Sequence, residues 1–573
     1  MGWGPDRWRL YRLALREVAR SMRGLGRQLS NPALGVPVPG RLLFAPQDLR
    51  TADATVATDV YGGHFVFAGR AVTTAGRSPF EFPEPSRAWG EALYGFGWLR
   101  HLRAADTALA RANARALVGD FLEGNRRNAG TARQTHVVAR RLISFLSQSP
   151  LLLEGADHDF YSRFQKALGR AVRDLERDVH GALRPERRLL AAVALCYAGL
   201  CCEGLDGVLR RATRLLTRQL DRQILVDGGH LSRNPRILLE LVLDLLPLRQ
   251  IYGSRGIETP DALIRAVDRI LPMLRLLRHG DGTLSHFNGM GRTAAHHLAT
   301  LLMYDAARAQ PLMHAPHSGY ERLSGGDTLV VAEVGRAPPI GVSAEAHAGC
   351  LSFELSSGPA RIVVNCGSTP NGPEGPAQIG RATAAHSTAT LADTSSCRFV
   401  ARQGWWGERL VAGWLVRRLG AAILTGPTEV AAERGERAGA QTVTASHDGY
   451  RDRLGIVHER RWRLDRGGGR LDGEDRFRRE VDVDGPDDAA IRFHLHPAVS
   501  AAIADDGVLL HLSNGESWHF EASAGAPALA DSVFFAATDG MKRTQQIVLA
   551  VRTGETPEVR WRFTRLPPPA PRP

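Results

Sequence analysis

Apolar positions recur every three or four residues between residues 85 and 315, which is the spacing of amphipathic helices. In segment 160–179 they line one helical face and comprise Phe160, Phe164, Leu168, Val172, Leu175 and Val179. Segment 206–225 repeats the pattern, and segments 235–250 and 260–278 both open on a proline, which suits a first helical turn. This half of the chain is therefore predicted to be helical.

Beyond residues 315–325 the apolar positions alternate in short β-branched runs that glycine and aspartate turns separate. The predicted strands lie at 328–335, 351–358, 360–367, 490–497, 508–522 and 559–566. Within 508–522, the pair Asn514-Gly515 favours a hairpin turn. Many short strands in one long region predict a large antiparallel β-sandwich.

An all-helical half before an all-strand half predicts a multidomain α+β protein, because 573 residues exceed the roughly 250–300 that one hydrophobic core spans. Helical hairpins in an incomplete ring beside a sandwich would form a cleft suited to a polymer. The predicted divisions are a basic helix and lead-in segment, a helical domain, a sandwich domain and a disordered proline-rich tail, at 1–84, 85–318, 319–566 and 567–573.

Composition indicates a globular protein with an acidic partner. Hydrophobic residues make up 43% of the chain and charged residues 23%, and the formal net charge is +13. Nearly all of the excess charge is arginine, since Lys166 and Lys542 are the only lysines. No nucleic-acid-binding motif or basic run is present, so we expect an acidic polysaccharide rather than a nucleic acid.

The N-terminal segment 1–30 is basic and has no continuous apolar stretch of the kind a cleavable signal peptide contains. No later run reaches the roughly 20 apolar residues of a membrane span. Two interpretations stay open for this segment: a helix packed on the following domain, or an amphipathic helix in peripheral contact with a membrane surface. The six cysteines form no CxxC pair and are expected to be free and mostly buried.

The stretch "QILVDGGHLSRNP" at 223–235 interrupts two helical runs with paired glycines and polar residues. Gly228 and Gly229 permit a backbone turn that side chains would obstruct, so His230 is expected to project from a loop, with Arg233 and Asn234 as donors beside it. Alternatively, the stretch is a helix-to-helix turn in which Asn234 caps the next helix and His230 bonds locally.

Several segments together resemble one family. They are "FEFPEPSRAWGEALYGFGWLRHL" (80–102), "VVARRLISFL" (137–146), "DGGHLSRNP" (227–235), "HAGCLSFEL" (347–355), "NCGSTPNG" (365–372), "AAHSTATLAD" (384–393) and "SHDGYRDRLGIVHERRW" (446–462). They are similar to the heparinase II/III-like polysaccharide lyases. The resemblance implies an incomplete (α/α) toroid followed by an antiparallel β-sandwich, and cleavage of uronic-acid polysaccharides by β-elimination. It also implies that His386 is the catalytic histidine of the sandwich and that Arg141 lies near the groove.

The family's Ser-Pro-Met-Tyr-His stretch supplies a tyrosine that acts as base and acid, and this chain departs from it. The corresponding residues are Asn234-Pro235-Arg236-Ile237-Leu238, without a tyrosine. Two functions therefore stay open. The leading prediction is a carbon–oxygen lyase that cleaves an acidic, uronic-acid-containing polysaccharide by β-elimination, and the alternative is a non-catalytic acidic-glycan-binding or envelope polysaccharide assembly protein.

β-Elimination needs a cation on the uronate carboxylate, a base for the C5 proton and an acid for the leaving oxygen. Histidine and tyrosine suit proton transfer, and arginine binds a carboxylate through two charge-assisted hydrogen bonds. The candidates for proton transfer are His230, His386 and Tyr450, and those for substrate binding are Arg141, Arg233, Asn234 and Arg236. The structural alternatives are a strand histidine bonded to a carbonyl for His386, and a turn tyrosine for Tyr450.

No cofactor or metal is predicted, because His447, Asp448 and His458 fit no zinc spacing. Ser387 lacks the Gly-x-Ser-x-Gly context of a hydrolase nucleophile. His136, Asn288 and His347 are interpreted as structural. The sequence favours the cytoplasm and the resemblance favours the cell envelope or periplasm, while the oligomeric state stays open.

Overall fold

The computed structural model describes residues 5–30, 39–124, 130–304, 310–369, 378–401, 405–483 and 485–567. Residues 568–573 of the predicted disordered tail and residues 370–372 of the "NCGSTPNG" segment lie outside these ranges. The chain forms two compact units: a helical unit of residues 12–223 and 240–267, and a sandwich unit of residues 1–11, 224–239 and 268–573. The domain limits given above divide the chain differently and stay a prediction.

The helices are α1 (Pro5–Ser30), α2 (Thr55–Tyr61), α3 (Arg87–Gly95), α4 (Leu99–Ala105), α5 (Ala108–Glu123), α6 (Thr135–Ser147), α7 (Ser149–Leu153), α8 (His158–Asp178), α9 (Pro185–Cys201), α10 (Asp206–Gln223), α11 (Pro235–Ser254), α12 (Asp261–Leu276), α13 (Ala295–Met303), α14 (Trp406–Leu419) and α15 (Arg451–Leu454). Those of the N-terminal half form an incomplete (α/α) toroid. Helix α8 shows why they form: Asp157 caps it by accepting the Phe160 N–H at 2.7 Å, and its predicted apolar face is buried.

The strands are β1 (His64–Phe67), β2 (Arg70–Thr73), β3 (His314–Ala315), β4 (Tyr320–Gly325), β5 (Thr328–Glu333), β6 (Phe353–Ser357), β7 (Ala360–Val364), β8 (Ala389–Leu391), β9 (Arg398–Phe399), β10 (Ile423–Thr425), β11 (Val430–Arg437), β12 (Ala440–Tyr450), β13 (Ile456–Leu464), β14 (Arg470–Arg479), β15 (Asp488–Leu495), β16 (Ser500–Ala504), β17 (Gly507–His511), β18 (Ser517–Ala522), β19 (Ala528–Phe534), β20 (Lys542–Arg552) and β21 (Glu558–Arg565). The hairpin turn predicted at Asn514-Gly515 joins β17 to β18, and Gly515 has a φ of 87°.

Two antiparallel sheets form the sandwich. One has the order β11-β12-β13-β14-β21-β18-β17-β16, and the other has the order β19-β20-β15-β7-β6-β5-β4-β3 with β8 paired to β15. Aromatic side chains fill the core that both sheets share, and the Phe353 and Trp561 rings stack there at 5.4 Å. The α+β fold class and the β-sandwich predicted from the alternating pattern are confirmed.

The observed elements follow the predicted ones closely. The helical run of the N-terminal half ends at Met303 and the first strand of the sandwich begins at His314. Sequence analysis did not predict helix α14, which lies between strands of the sandwich region. All six cysteines are free and buried, as expected. Within the described ranges, no helix combines the length and the apolar character needed to cross a membrane.

Candidate functional site

The loop between α10 and α11 is fixed by close backbone approaches to the rest of the sandwich unit. A Cβ on Gly228, whose φ is 87°, would lie 2.0 Å from the Arg269 carbonyl oxygen, and one on Gly229 would lie 1.8 Å from Ser318 Oγ. The Asp227 carboxylate accepts hydrogen bonds from the Ser318 N–H at 2.7 Å and from its hydroxyl at 2.6 Å. The glycines are thus required at this turn, as the sequence predicted.

His230 is fully buried, and the expectation that it projects from the loop is wrong. The loop is fixed at Ser318 and turns the imidazole inward, where Nδ1 lies 2.7 Å from Ser232 Oγ and accepts the Ser232 N–H at 3.1 Å. Burial lowers the pKa of His230 to about 4, so the ring is neutral near pH 7. Its role in proton transfer stays a prediction.

Asn234 and Arg236 contact a carboxylate of their own chain. Asn234 Oδ1 accepts the Arg236 N–H at 3.0 Å at the start of α11, so the capping alternative for Asn234 is confirmed. The Asn234 amide and the Arg236 guanidinium both donate to Glu345 Oε2, at 3.0 and 2.5 Å. A polysaccharide carboxylate would have to compete with Glu345 for these two donors.

His386 is fully buried and lies three residues before the start of β8 at Ala389. Its Nδ1–H donates to the Ala382 carbonyl at 2.8 Å, so its Nε2 is the acceptor for His347 Nδ1–H at 3.0 Å. This arrangement leaves His347 Nε2 as a buried acceptor with no hydrogen-bond partner. Burial lowers the pKa of His386 to about 4, and that of His347 also falls well below its ordinary value.

Glu333, at the end of β5, lies beside this histidine pair. Its Oε1 accepts the Asn288 amide at 2.6 Å, while its buried Oε2 has no hydrogen-bond partner. Burial raises the pKa of Glu333 to about 7, against the opposing effects of Asn288 and Arg233. Sequence analysis missed this residue, and its only signal is an acid inside the apolar run "TLVVAEVG" (328–335).

Glycines leave room for these side chains. A Cβ on Gly349 would lie 2.8 Å from His386 Cδ2 and 2.9 Å from Glu333 Oε2. A Cβ on Gly335 would lie 2.3 Å from Arg233 Nη1, which is buried without a hydrogen-bond partner. We call Arg233, Asn288, Glu333, His347 and His386 the glutamate cluster. It brings together two of the predicted site residues, Arg233 and His386.

Tyr450 lies in the sandwich core, fully buried. Its hydroxyl donates to the Ala389 carbonyl at 3.0 Å, and burial raises the pKa of the phenol above its ordinary value. A buried phenol bonded to a backbone carbonyl covers the end of strand β12. This placement favours the structural alternative, and the acid role of Tyr450 stays a prediction.

Arg141 belongs to the helical unit, where it lies on α6. Its Nη1 donates to the Tyr94 and Ala132 carbonyls at 3.0 and 3.2 Å, and the guanidinium stacks 4.8 Å from the Phe121 ring centre. Burial lowers the pKa of Arg141 to about 10. These contacts tie α6 to its neighbours, and a role for Arg141 in carboxylate binding stays a prediction.

Of the residues considered for a metal, His458 belongs instead to a buried network around Asp475. Asp475 accepts from Arg460 Nε at 2.7 Å and Nη2 at 2.9 Å, from His458 Nε2 at 2.6 Å and from Trp561 Nε1 at 2.8 Å. Asp448 lies in β12 with its side chain 9% exposed, and it accepts the Thr428 N–H at 2.8 Å. In the part of the chain that the structure describes, no three His, Cys, Asp or Glu side chains are grouped as a metal site would require.

Comparison with known proteins gives similarities over nearly the whole chain. Residues 307–562 match the family model described as "Heparinase II/III-like, C-terminal". The chain is 32% identical over 548 residues to FtsZ-localized protein C of Caulobacter vibrioides (strain NA1000 / CB15N), and the match covers 93% of this chain and 92% of that protein.

Solved structures of lyases share the fold. Heparinase III matches with a TM-score of 0.67 at 13% identity, covering 94% of this chain and 87% of that one. A second heparinase III matches with a TM-score of 0.63 at 13% identity, covering 98% and 92% of the two chains. A mutant heparan sulfate lyase from Pedobacter heparinus matches with a TM-score of 0.60 at 13% identity, covering 92% and 87%. These similarities confirm the resemblance seen in the sequence segments and the toroid-plus-sandwich fold.

Proposed function

This chain belongs to the heparinase II/III-like family, and we propose that it is a lyase-like protein that binds an acidic polysaccharide without cleaving it. Cleavage by β-elimination is the competing proposal. The two differ in whether a histidine and an acid reach a uronate together. The geometry favours binding, and the burial of both predicted catalytic histidines carries this conclusion.

A base in β-elimination has to touch the C5 proton of the sugar. His230 and His386 are both fully buried, and a ring nitrogen of each is hydrogen-bonded to its own chain. The acid is lacking too, because the family tyrosine is absent and Tyr450 is directed at the Ala389 carbonyl. A sugar ring would reach these groups only after the sandwich unit had opened around them.

β-Elimination draws its support from the glutamate cluster. Glu333 Oε2 and His347 Nε2 are buried polar atoms without hydrogen-bond partners, which is a feature of sites that act on a ligand. A carboxyl group whose pKa is raised to about 7 can exchange a proton near neutral pH. In this proposal Glu333 and His386 would share the proton transfer that the family assigns to a histidine and a tyrosine.

Two assays of the full chain on a panel of uronic-acid polymers distinguish binding from cleavage. One measures retention of the chain on the immobilised polymer, and the other measures the ultraviolet absorbance of the product during incubation. We expect retention of the chain on at least one immobilised polymer, with no rise in the ultraviolet absorbance of the 4,5-unsaturated product. The His386→Gln variant is the matched control, because a binding protein keeps its affinity in that variant. An absorbance increase that wild type gives and His386→Gln does not give would establish β-elimination instead.

A second function, attachment to a membrane surface, is favoured by helix α1. Leu15 and Met22 are 70% and 68% exposed, and Trp8, Val18 and Leu25 continue their stripe. At 100° per residue, this stripe lies opposite the buried Leu10 and Leu13, beside the exposed side chains of Arg9, Arg12, Arg16 and Arg23. An apolar stripe flanked by arginines is typical of helices that lie in the interface of an anionic membrane.

Vesicle flotation tests this second function. The Leu15→Ser/Met22→Ser variant should lose binding to vesicles that contain anionic lipid. The control variant is Leu109→Ser, because Leu109 on α5 is also more than half exposed. Equal flotation of both variants would refute the membrane contact.

Because the Caulobacter relative is named for localisation with FtsZ, we also propose association with FtsZ, and co-sedimentation with FtsZ polymers tests it.

A further inference from the structure

The sandwich unit contains an open cavity of about 650 Å³. All its lining residues belong to the sandwich unit, and four of their side chains are cationic while two are carboxylates. The residues that carry the inference are Arg292, Arg361, His496, Phe534, Lys542 and Arg543. We call this the basic cavity. A volume of this size is in the range of small-ligand sites, roughly 300–1,000 Å³.

Arg361 forms the buried wall of the basic cavity. Its side chain is 1% exposed, its Nη2 donates to Glu354, and its Nη1 donates to Thr283 Oγ1 at 2.8 Å. The Nε of the same guanidinium is buried and has no hydrogen-bond partner. The ion pair with Glu354 fixes Arg361 in place in the cavity wall.

The exposed rim of the basic cavity carries positive charges that no carboxylate of the described residues neutralises, on Arg292 and Arg543. Lys542 pairs with Asp539 at 3.1 Å, and Asp281 lies 3.8 Å from Arg361. Arg292 and Arg543 are exposed, and neither makes an ion pair with any residue that the structure describes. Two guanidinium groups at the mouth of a concave surface attract an anion and bind its oxygens through charge-assisted hydrogen bonds.

The remaining wall suits a sugar ring rather than a bare ion. Burial lowers the pKa of His496 to about 4, and its Nδ1 accepts the Ala498 N–H at 3.2 Å, so the neutral ring carries its proton on Nε2. The Phe534 ring lies 5.3 Å from the His496 ring, edge to face. Phe534 is 3% exposed and packs against the rings of His286 and His496, so it orients His496, whose neutral Nε2–H can donate to a hydroxyl of a ligand.

We propose that the basic cavity binds one acidic sugar unit, with Arg292 and Arg543 holding its carboxylate or sulfate group and His496 donating to a ring hydroxyl. This inference rests on the proposed function for the polymer from which the unit comes. The cavity is lined by none of the residues of the glutamate cluster. It would therefore hold the polysaccharide without any proton transfer by His386.

Calorimetric titration of the full chain tests the cavity with three probes: a uronic-acid disaccharide, a neutral disaccharide and inorganic sulfate. We expect the acidic disaccharide to bind at least tenfold more tightly than either of the others. The Arg292→Glu/Arg543→Glu variant should weaken that binding at least tenfold, because two attractive charges become repulsive. Arg437→Glu is the matched control, since Arg437 is an exposed arginine on β11 outside the cavity.

The variant His496→Asn distinguishes the contribution of the sugar hydroxyl to binding from that of the anionic group. Asparagine can still accept the Ala498 N–H but lacks a donor at the position of Nε2, so the affinity for the acidic disaccharide should fall severalfold. Binding of sulfate as tight as that of the disaccharide would refute the sugar, and equal affinity of the rim variant and Arg437→Glu would refute the cavity. If Arg292→Glu/Arg543→Glu and Arg437→Glu were both still retained on the immobilised polymer, the proposed function would stand without the cavity. If the wild-type chain were not retained on any polymer, the proposed function itself would be refuted.

Discussion

Glu333 and Glu354 lie on adjacent strands of one sheet, β5 and β6, and both are buried. Their pKa values are nevertheless shifted in opposite directions. Burial raises the pKa of Glu333 to about 7. Burial also acts on Glu354, but Arg361 and His286 overcome it and hold the pKa of that carboxyl well below its ordinary value. The difference teaches that the number of cationic and N–H partners, and not burial itself, decides which buried carboxylate carries charge.

The same comparison separates a carboxylate whose two oxygens both accept hydrogen bonds from one with an unused oxygen. Glu354 accepts from Arg361 Nη2, from the His286 N–H at 3.1 Å and from the Asn365 N–H at 3.0 Å. Around Glu333, by contrast, buried atoms of Glu333, Arg233 and His347 have no hydrogen-bond partner.

Removing the negative charge of Glu354 should cause the largest loss in the free energy of unfolding. Glu354→Gln removes the charge that neutralises Arg361 and leaves the buried guanidinium with only the more distant, partly exposed Asp281 as a counter-ion. Breaking a buried pair from one side costs about 3–5 kcal/mol. Urea unfolding followed by tryptophan fluorescence measures the loss in the free energy of unfolding.

Asp281→Asn is the control for this variant. Asp281 lies 3.8 Å from the same arginine but is 25% exposed, so its removal should cost less than about 1 kcal/mol. Equal losses from Glu354→Gln and Asp281→Asn would contradict the assignment of Glu354 as the counter-ion of Arg361.

On the Glu333 side, the expected effect appears in the pH dependence of stability. The folded protein keeps the Glu333 proton up to about pH 7, whereas an unperturbed carboxyl of this kind has a pKa of 4.5. The folded state therefore binds more protons between these values, and stability falls as pH rises through this window and levels off above it. Glu333→Gln removes this loss, which is about 3.5 kcal/mol over the whole window at 1.4 kcal/mol per pKa unit.

The measurement compares the free energy of unfolding of wild type and Glu333→Gln at pH 5 and pH 8. His230 and His386 titrate in the opposite sense, because their lowered pKa values make stability rise with pH between about 4 and 6.5. Both proteins share that contribution, so the difference between them isolates Glu333. Parallel pH profiles would show that Glu333 is charged when folded.

A smaller effect should follow from crowding the glutamate cluster. The Cβ of Gly349→Ala would lie 2.8 Å from His386 Cδ2 and 2.9 Å from Glu333 Oε2, so both side chains would have to shift. Overpacking of this kind costs about 1–3 kcal/mol. Thermal unfolding should register the loss, and Gly341→Ala is the control because nothing lies within 4 Å of its Cβ position. Equal melting temperatures of the two variants would mean that the cluster has free space.

Periodicity along the chain was sufficient to predict the helical half and the β-sandwich, whereas the (α/α) toroid was implied by the family resemblance. The apolar face of α8 and the alternation of β15 are local properties, so each element could be located from its own residues. Gly228 and Gly229 were likewise recognised from their own turn. Helix α14 was missed because it lies among strands, although Glu408 caps it locally by accepting the Trp405 N–H at 3.2 Å.

The site was harder to predict because long-range contacts decide its burial. Ser318, which fixes the His230 loop, is 91 residues from Asp227, and Asn288 is 45 residues from Glu333. No spacing within "DGGHLSRNP" indicates that Ser318 will draw the loop inward. The resemblance located His386 and the loop sequence indicated Arg233, but the exposure and hydrogen-bond partners of these residues depend on the whole sandwich unit.

The smallest expected effect concerns an ion pair on the surface of the same sandwich. Arg478 donates to Glu480 at 3.1 Å, a length typical of buried pairs, yet the two side chains are 58% and 35% exposed. Water and salt screen such charges, so Arg478→Gln should change the free energy of unfolding by less than about 0.5 kcal/mol. Urea unfolding in low and high salt measures this value beside that of Glu354→Gln. A loss from Arg478→Gln as large as that from Glu354→Gln would mean that the distance between the charges, and not their burial, sets the strength of these pairs. The buried hydrogen-bond and ion-pair partners of Glu333 and Glu354 would then not explain why the pKa values of these two carboxyls differ.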